Sequence, residues 1–128
     1  MTKAQDDRSL FDQLGGQKAV NETVDSFYDK IIHDERINHF FVDVDMARQR
    51  AHQKAFLTYT FGGAPYYNGQ SLRRAHARPV AEKGLSDEHF DAMADNLKLT
   101  MEERGIAPDL IEQAMALFNA VRDDVLNR

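Results

Sequence analysis

The chain has 128 residues, 42% hydrophobic and 29% charged, which suits one globular domain and lies outside the low-hydrophobicity regime of disorder. A net charge of −5, with Lys and Arg dispersed rather than gathered in a stripe, repels a phosphate backbone and argues against nucleic acid as a partner. The absence of cysteine excludes a disulfide framework, a thiolate metal site and a Cys nucleophile together. No apolar run approaches the roughly 20 residues of a membrane span, so a cytoplasmic chain that neither enters a membrane nor carries a leader is expected.

Residues 1–8 are polar and charged and are expected to form a loose tail before a single domain over 9–128. Ser9 followed by Leu10, Phe11 and Leu14 predicts a short amphipathic turn of helix that Gly15 and Gly16 break. From Gln17 the apolar positions Val20, Val24, Phe27, Tyr28, Ile31 and Ile32 recur at three and four, the signature of one helical face. Residues 35–41 hold Ile37, Phe40 and Phe41 in too short a span for a long helix. A second long helix is predicted from near Asp45 through Met46, Gln49, Gln53, Phe56, Leu57 and Thr60, ending at Gly62 and Gly63 with Pro65 just beyond.

Residues 64–70 then read as a loop, and Ser71 as the cap of a shorter helix carrying Leu72 and His76. Pro79 is expected to interrupt that helix, because its ring removes a hydrogen bond from a helix interior, leaving loop up to Leu85. Ser86, Asp87 and Glu88 open a helix whose stripe is Phe90, Met93, Ala94, Leu97 and Met101, as far as Gly105. Pro108 starts the last one, which places Leu110, Ile111, Ala114, Leu117, Phe118, Val121 and Val125 on one side. No strand pattern competes. The class is all-α, and unequal helices punctuated by glycine pairs favour oblique packing over an up-and-down bundle.

Polar groups on the inner faces carry the chemistry. Tyr28 lies on the apolar side of its helix, and Gln49 and Gln53, four apart, share a face with Met46 and Phe56. A buried polar group without a partner costs about 1–3 kcal/mol, so these three either satisfy one another and the backbone or face something polar. His76 stands between Ala75 and Ala77, whose small side chains let a flat group approach, with Arg73 and Arg74 just upstream. A neutral imidazole is a good iron ligand and guanidiniums suit carboxylates, although a lone histidine is more often structural or exposed. His52 adjoins Gln53 and is three residues from Gln49, within reach of the same space, whereas His33, His39 and His89 lie among polar residues. There is no zinc spacing, no hydrolase triad, no GxGxxG and no Walker sequence.

From Ser9 onward the chain resembles the truncated, or two-over-two, haemoglobins, and their first group more closely. The family's two glycine pairs match SLFDQLGG and TYTFGG, its distal tyrosine matches Tyr28 in FYDK, and the phenylalanine on the haem face matches Phe41 in HFFVD. Its distal glutamines fall on Gln49 and Gln53 and its proximal histidine on His76 in SLRRAHARPV.

The resemblance implies a truncated globin fold, a two-over-two helical sandwich around haem b, with His76 on the iron and O2, NO or CO opposite. Tyr28 and a glutamine would donate hydrogen bonds to the gas, while Phe41 and Phe56 would pack on the haem and Lys54, Tyr59 and Arg73 would meet its propionates. Some cyanobacterial members have a histidine where His52 falls, which there acts as a sixth iron ligand. Certain of those members attach haem covalently through a late histidine, but this chain has none after His89, so extractable haem is expected.

The activity implied is oxidation of NO to nitrate, with a reductase or small electron donor as partner and the chain as a monomer. Oxygen carriage or sensing, or a haem-free helical interaction module, are the alternatives.

Overall fold

The computed structural model describes residues 8–65 and 69–128. The expected tail therefore lies almost wholly outside the described residues, as does the middle of the expected 64–70 loop. Among the described residues every regular element is helical: α1 Leu10–Leu14, α2 Gly16–Ile31, a 3₁₀ turn Asn38–Phe41, α3 Met46–Thr60, α4 Gly69–Lys83, α5 Asp87–Glu103, α6 Pro108–Asn119 and α7 Arg122–Val125. None of these helices is long and apolar enough to cross a membrane.

The caps follow from residue chemistry. Ser9 Oγ accepts from the Asp12 amide at 3.1 Å and Asp45 Oδ1 from the Arg48 amide at 3.2 Å, each satisfying a donor that the first helical turn leaves free. At the start of α5 the arrangement is reversed, because the Ser86 amide donates to Nδ1 of His89 at 3.1 Å. That bond gives His89 a structural task. Gly15 joins α1 to α2 with φ +113°, a left-handed conformation that glycine adopts without steric penalty.

Helix α2 packs on α3 and on α5, and α5 packs on α6, so two helix pairs lie one over the other in a two-over-two sandwich. Val24, Phe27 and Ile31 of α2 are wholly buried at the crossing, with Leu57 of α3 and Leu97 and Met101 of α5. The second glycine pair makes the contact between α1 and the end of α3 possible. A Cβ on Gly63 would stand 2.5 Å from the Phe11 ring, and the Phe11 amide donates to the Phe61 carbonyl at 2.8 Å.

Two expectations about helix ends are corrected. Helix α4 does not stop at Pro79 but runs to Lys83, and it begins at Gly69, so Ser71 falls inside its first turn. Pro79 gives no N–H to the Ala75 carbonyl, yet both residues line a cavity, which puts the missing bond where no neighbouring helix is forced apart. The last helix is two: α6 ends at Asn119, whose side-chain amide donates back to the Met115 carbonyl at 2.9 Å in competition with the helix, and α7 restarts at Arg122.

Candidate functional site

A cavity of about 240 Å³ lies between α3 and α4, with walls completed by Tyr28 from α2, the 3₁₀ turn, α5 and the C-terminal helices. Its lining is mainly apolar and aromatic, including Phe41, Phe56, Phe90, Met93 and Phe118, and its polar groups come from α2 and α3 on the one hand and from α4 on the other.

On the α2–α3 side, Tyr28 is fully buried, edge-on to Phe27 at 5.1 Å and to Phe41 at 5.8 Å between ring centroids. Nε2 of Gln49 donates to its hydroxyl oxygen at 3.1 Å. Because that oxygen is the acceptor in this bond, its own proton stays available to a second group in the cavity. Burial pushes the phenol up to about 12, against smaller opposing effects of Gln49 and Arg50, so Tyr28 remains a donor at any physiological pH. Gln53 lines the same cavity, and its side chain has no hydrogen bond to another described residue. His52 lines it too, but from an exposed position.

On the α4 side stands His76. Nδ1 of its half-buried ring lies 2.8 Å from the Leu72 carbonyl one turn earlier, so Nδ1 carries the proton and Nε2 keeps its lone pair. Burial holds the imidazole below its ordinary value, outweighing that carbonyl, and the neutral ring a metal needs is therefore the favoured form.

The structure thus brings Tyr28, Phe41, Gln49, His52, Gln53, Phe56 and His76 to one cavity. It places Lys54, Tyr59 and Arg73 outside that lining. Lys54 Nζ lies 3.2 Å from the Asp25 carboxylate, and Arg73 is 2.9 Å from Asp124 and 3.2 Å from the Arg128 carbonyl, while Tyr59 is exposed on α3. Sequence reasoning counted Phe90, Met93 and Phe118 as core stripe only. The period of three and four is the same whether a side chain meets another helix or a cavity, so no local signal could have separated them.

A mainly apolar cavity between helices, with a neutral imidazole from one helix and unspent donors from another, suits a haem-binding globin, and the comparisons agree. The family described as bacterial-like globin matches residues 9–127. The chain is 51% identical over 122 residues to the group 1 truncated haemoglobin GlbN of Synechocystis sp., covering 94% of this chain and 98% of that protein. It is 36% identical to the group 1 truncated haemoglobin of Tetrahymena pyriformis, covering 94% and 97% of the two chains. Among solved structures, the 2/2 haemoglobin of Synechococcus sp., in a cyanomet state with covalently attached haem, matches with TM-score 0.91 and 48% identity over 94% of this chain and all of that one. The chain belongs to the group 1 truncated haemoglobin family.

Proposed function

We propose that His76 is the proximal iron ligand, that Tyr28 with Gln49 and Gln53 forms the gas-facing side of the site, and that the protein converts NO to nitrate with O2. As a family member the chain is a haem b globin capable of binding diatomic gases, and the chemistry of its cavity lining suits that group. A planar apolar cofactor needs aromatic walls and one neutral imidazole with a free Nε2, and both are present. Bound haem iron supplies the gas position and one electron, so that O2 and NO combine to nitrate and a reductase or small electron donor must return that electron.

The chain's own residues do the rest. His76 Nε2 directs its lone pair into the cavity because Leu72 fixes the proton on Nδ1. Tyr28, whose hydroxyl oxygen accepts from Gln49, keeps its proton free and would donate it to a gas held in the cavity, slowing the gas's loss. Gln53 supplies a further NH2 group from the same wall. The aromatic lining excludes water that would compete for these donors. His52, on the cavity lining, would serve as an exchangeable ligand to the iron: a low-spin ferric spectrum that becomes high-spin in His52→Leu is expected. Arg73 and Lys54 would reach the haem carboxylates only by exchanging Asp124 and Asp25 for them. The haem is held without a covalent link, since the chain has no histidine after His89. The protein acts as a cytoplasmic monomer.

The observation that carries this reading is that His76 from α4 and the Tyr28–Gln49 pair from α2 and α3 line one cavity. Stopped-flow mixing of the oxygenated ferrous protein with NO tests it. Complete consumption of NO within the mixing time, with nitrate as product, is expected. Survival of the oxygenated spectrum for seconds would leave reversible oxygen binding as the function instead.

A further inference from the structure

Gln49 and Tyr28 belong to different helices, and one hydrogen bond of 3.1 Å is all that joins them. Such a bond fixes neither the translation nor the rotation of α3 along α2. Gln17 of α2 ties the far end of α3 through Thr58 at 3.1 Å, and the residue next to Gln49 supplies the constraint at the end that carries the tyrosine. Arg50 reaches back across the helix pair and donates from Nη1 to the Asp25 carbonyl at 3.0 Å and to Asp25 Oδ1 at 3.2 Å, and from Nη2 to Asp29 Oδ1 at 2.9 Å. Asp25 and Asp29 are one turn apart on α2 and bracket Tyr28. The Arg50 guanidinium carbon also lies 5.8 Å from the centroid of the Tyr28 ring. Lys54 adds a second cation to Asp25 at 3.2 Å, one turn further along α3.

The geometry points to Arg50 as a positioning residue for the gas site: its fork on Asp25 and Asp29 sets the register of α3 against α2 and so holds Gln49 against the Tyr28 hydroxyl. A planar guanidinium with two terminal nitrogens can grip two carboxylates one turn apart, whereas a single ammonium holds one point. The Arg50 side chain is only 22% exposed, so these pairs are less screened than ordinary surface bridges. Without the fork, this end of α3 can rock about its apolar contacts, with the Lys54–Asp25 pair and, at the far end, the Gln17–Thr58 bond still in place; Gln49 then leaves the phenol oxygen for part of the time, and the Tyr28 proton loses its fixed direction. The effect on bound gas is transmitted entirely through Tyr28.

This inference rests on the reading of Tyr28 as the donor to bound gas, and the test separates the two. The haem-loaded parent, Arg50→Met, Arg50→Lys, Tyr28→Phe and the Arg50→Met/Tyr28→Phe double variant are compared by O2 dissociation rate and by the infrared stretching band of bound CO. Arg50→Met should speed O2 dissociation by about three- to tenfold and broaden or split the CO band, with partial return in Arg50→Lys. In the Tyr28→Phe background Arg50→Met should change neither readout, because the residue it positions is gone. Asp29→Asn is the milder variant should Arg50→Met fold poorly, since Asp29 is 71% exposed and holds only one tine of the fork; about twofold faster dissociation is expected. If Tyr28→Phe alters both readouts while Arg50→Met and Asp29→Asn alter neither, the positioning role is overturned and the gas-site reading stands. If the Arg50→Met effect persists undiminished without Tyr28, Arg50 acts by another route and the inference also fails. If Tyr28→Phe itself changes nothing, the gas-site reading falls, and this one with it.

Discussion

The two sides of the cavity are built on different principles. The side carrying Tyr28 and Gln49 is a pair of long helices bound by a buried phenol, a hydrogen bond and the Arg50 fork, so its polar groups come from several elements and brace one another. The α4 side presents one side chain proposed to bind iron, His76, on a helix with a proline in its interior and a tie to α7 through Arg73 and Asp124. Redundancy on one side and a single point on the other teach where substitutions should be graded and where they should be all-or-none.

The largest effect is expected from His76→Gly. Removing the imidazole should weaken haem retention by more than about a hundredfold, beyond what altered neighbours of a metal ligand usually cause, and free imidazole added to the variant should restore the proximal ligand spectrum. Glycine inside a helix costs about 1 kcal/mol, so the chain should still fold. Haem retention equal to the parent, measured by transfer to apomyoglobin, would break the contrast at its root.

Tyr28→Phe comes next. It deletes one charge-assisted donor, a loss of about 1.5–3 kcal/mol or roughly ten- to a hundredfold in O2 dissociation. Haem affinity should barely change, because His76, the proposed proximal anchor, is untouched. A large drop in haem affinity with little change in gas release would invert the assignment of the two sides.

How much of this was legible before the structure depended on the range of the interaction. Tyr28, Gln49 and Gln53 could be read as inward-facing from period alone, since helical geometry is local. The course of α4 past Pro79 could not, because the local penalty of an interior proline is real and only the cavity beside Ala75 shows why it is tolerated. Arg73 and Lys54 were the least legible. Proximity to His76 or Gln53 in the chain says nothing of which carboxylate a long cation meets, and Asp124 lies 51 residues from Arg73. Arg50 escaped notice for the same reason: its partners are on another helix.

Acid should distinguish the two sides more gently. Arg36 beside Asp34, helped by Asn96 and opposed by burial, holds that carboxyl well below the usual range, and it pins the turn leading to Ile37 and Phe40 on the gas-facing side. For Asp25, burial works against ionisation, but the Lys54 and Arg50 hydrogen bonds outweigh it and lower its value as well. Groups depressed in the folded state bind fewer protons there than in the unfolded chain. Their contribution is complete above the unfolded carboxylate value near 3.9 and is lost as pH falls through the folded one. Unfolding free energy measured from pH 6 to pH 2 should therefore fall less steeply in Asp34→Asn than in the parent below about pH 4. Parallel curves would show that the turn does not depend on this carboxylate.

Arg73→Gln should have the smallest effect, and it tests the proximal side most sharply. The Arg73 and Asp124 side chains are 40% and 43% exposed, so their ion pair contributes about 0.5–1 kcal/mol after screening. The tie between α4 and α7 does not vanish with it, since Asn127 Nδ2 donates to the backbone carbonyl of residue 73 at 3.0 Å, a bond that any side chain leaves intact. Val121 and Val125 also keep their place in the cavity wall. A fall in Tm of roughly 2–4 °C with haem affinity unchanged is expected. A loss of haem affinity beyond about tenfold, or 1.4 kcal/mol, would instead mean that Arg73 abandons Asp124 for a haem carboxylate, and α7 would then be tethered to the proximal helix only until haem arrives.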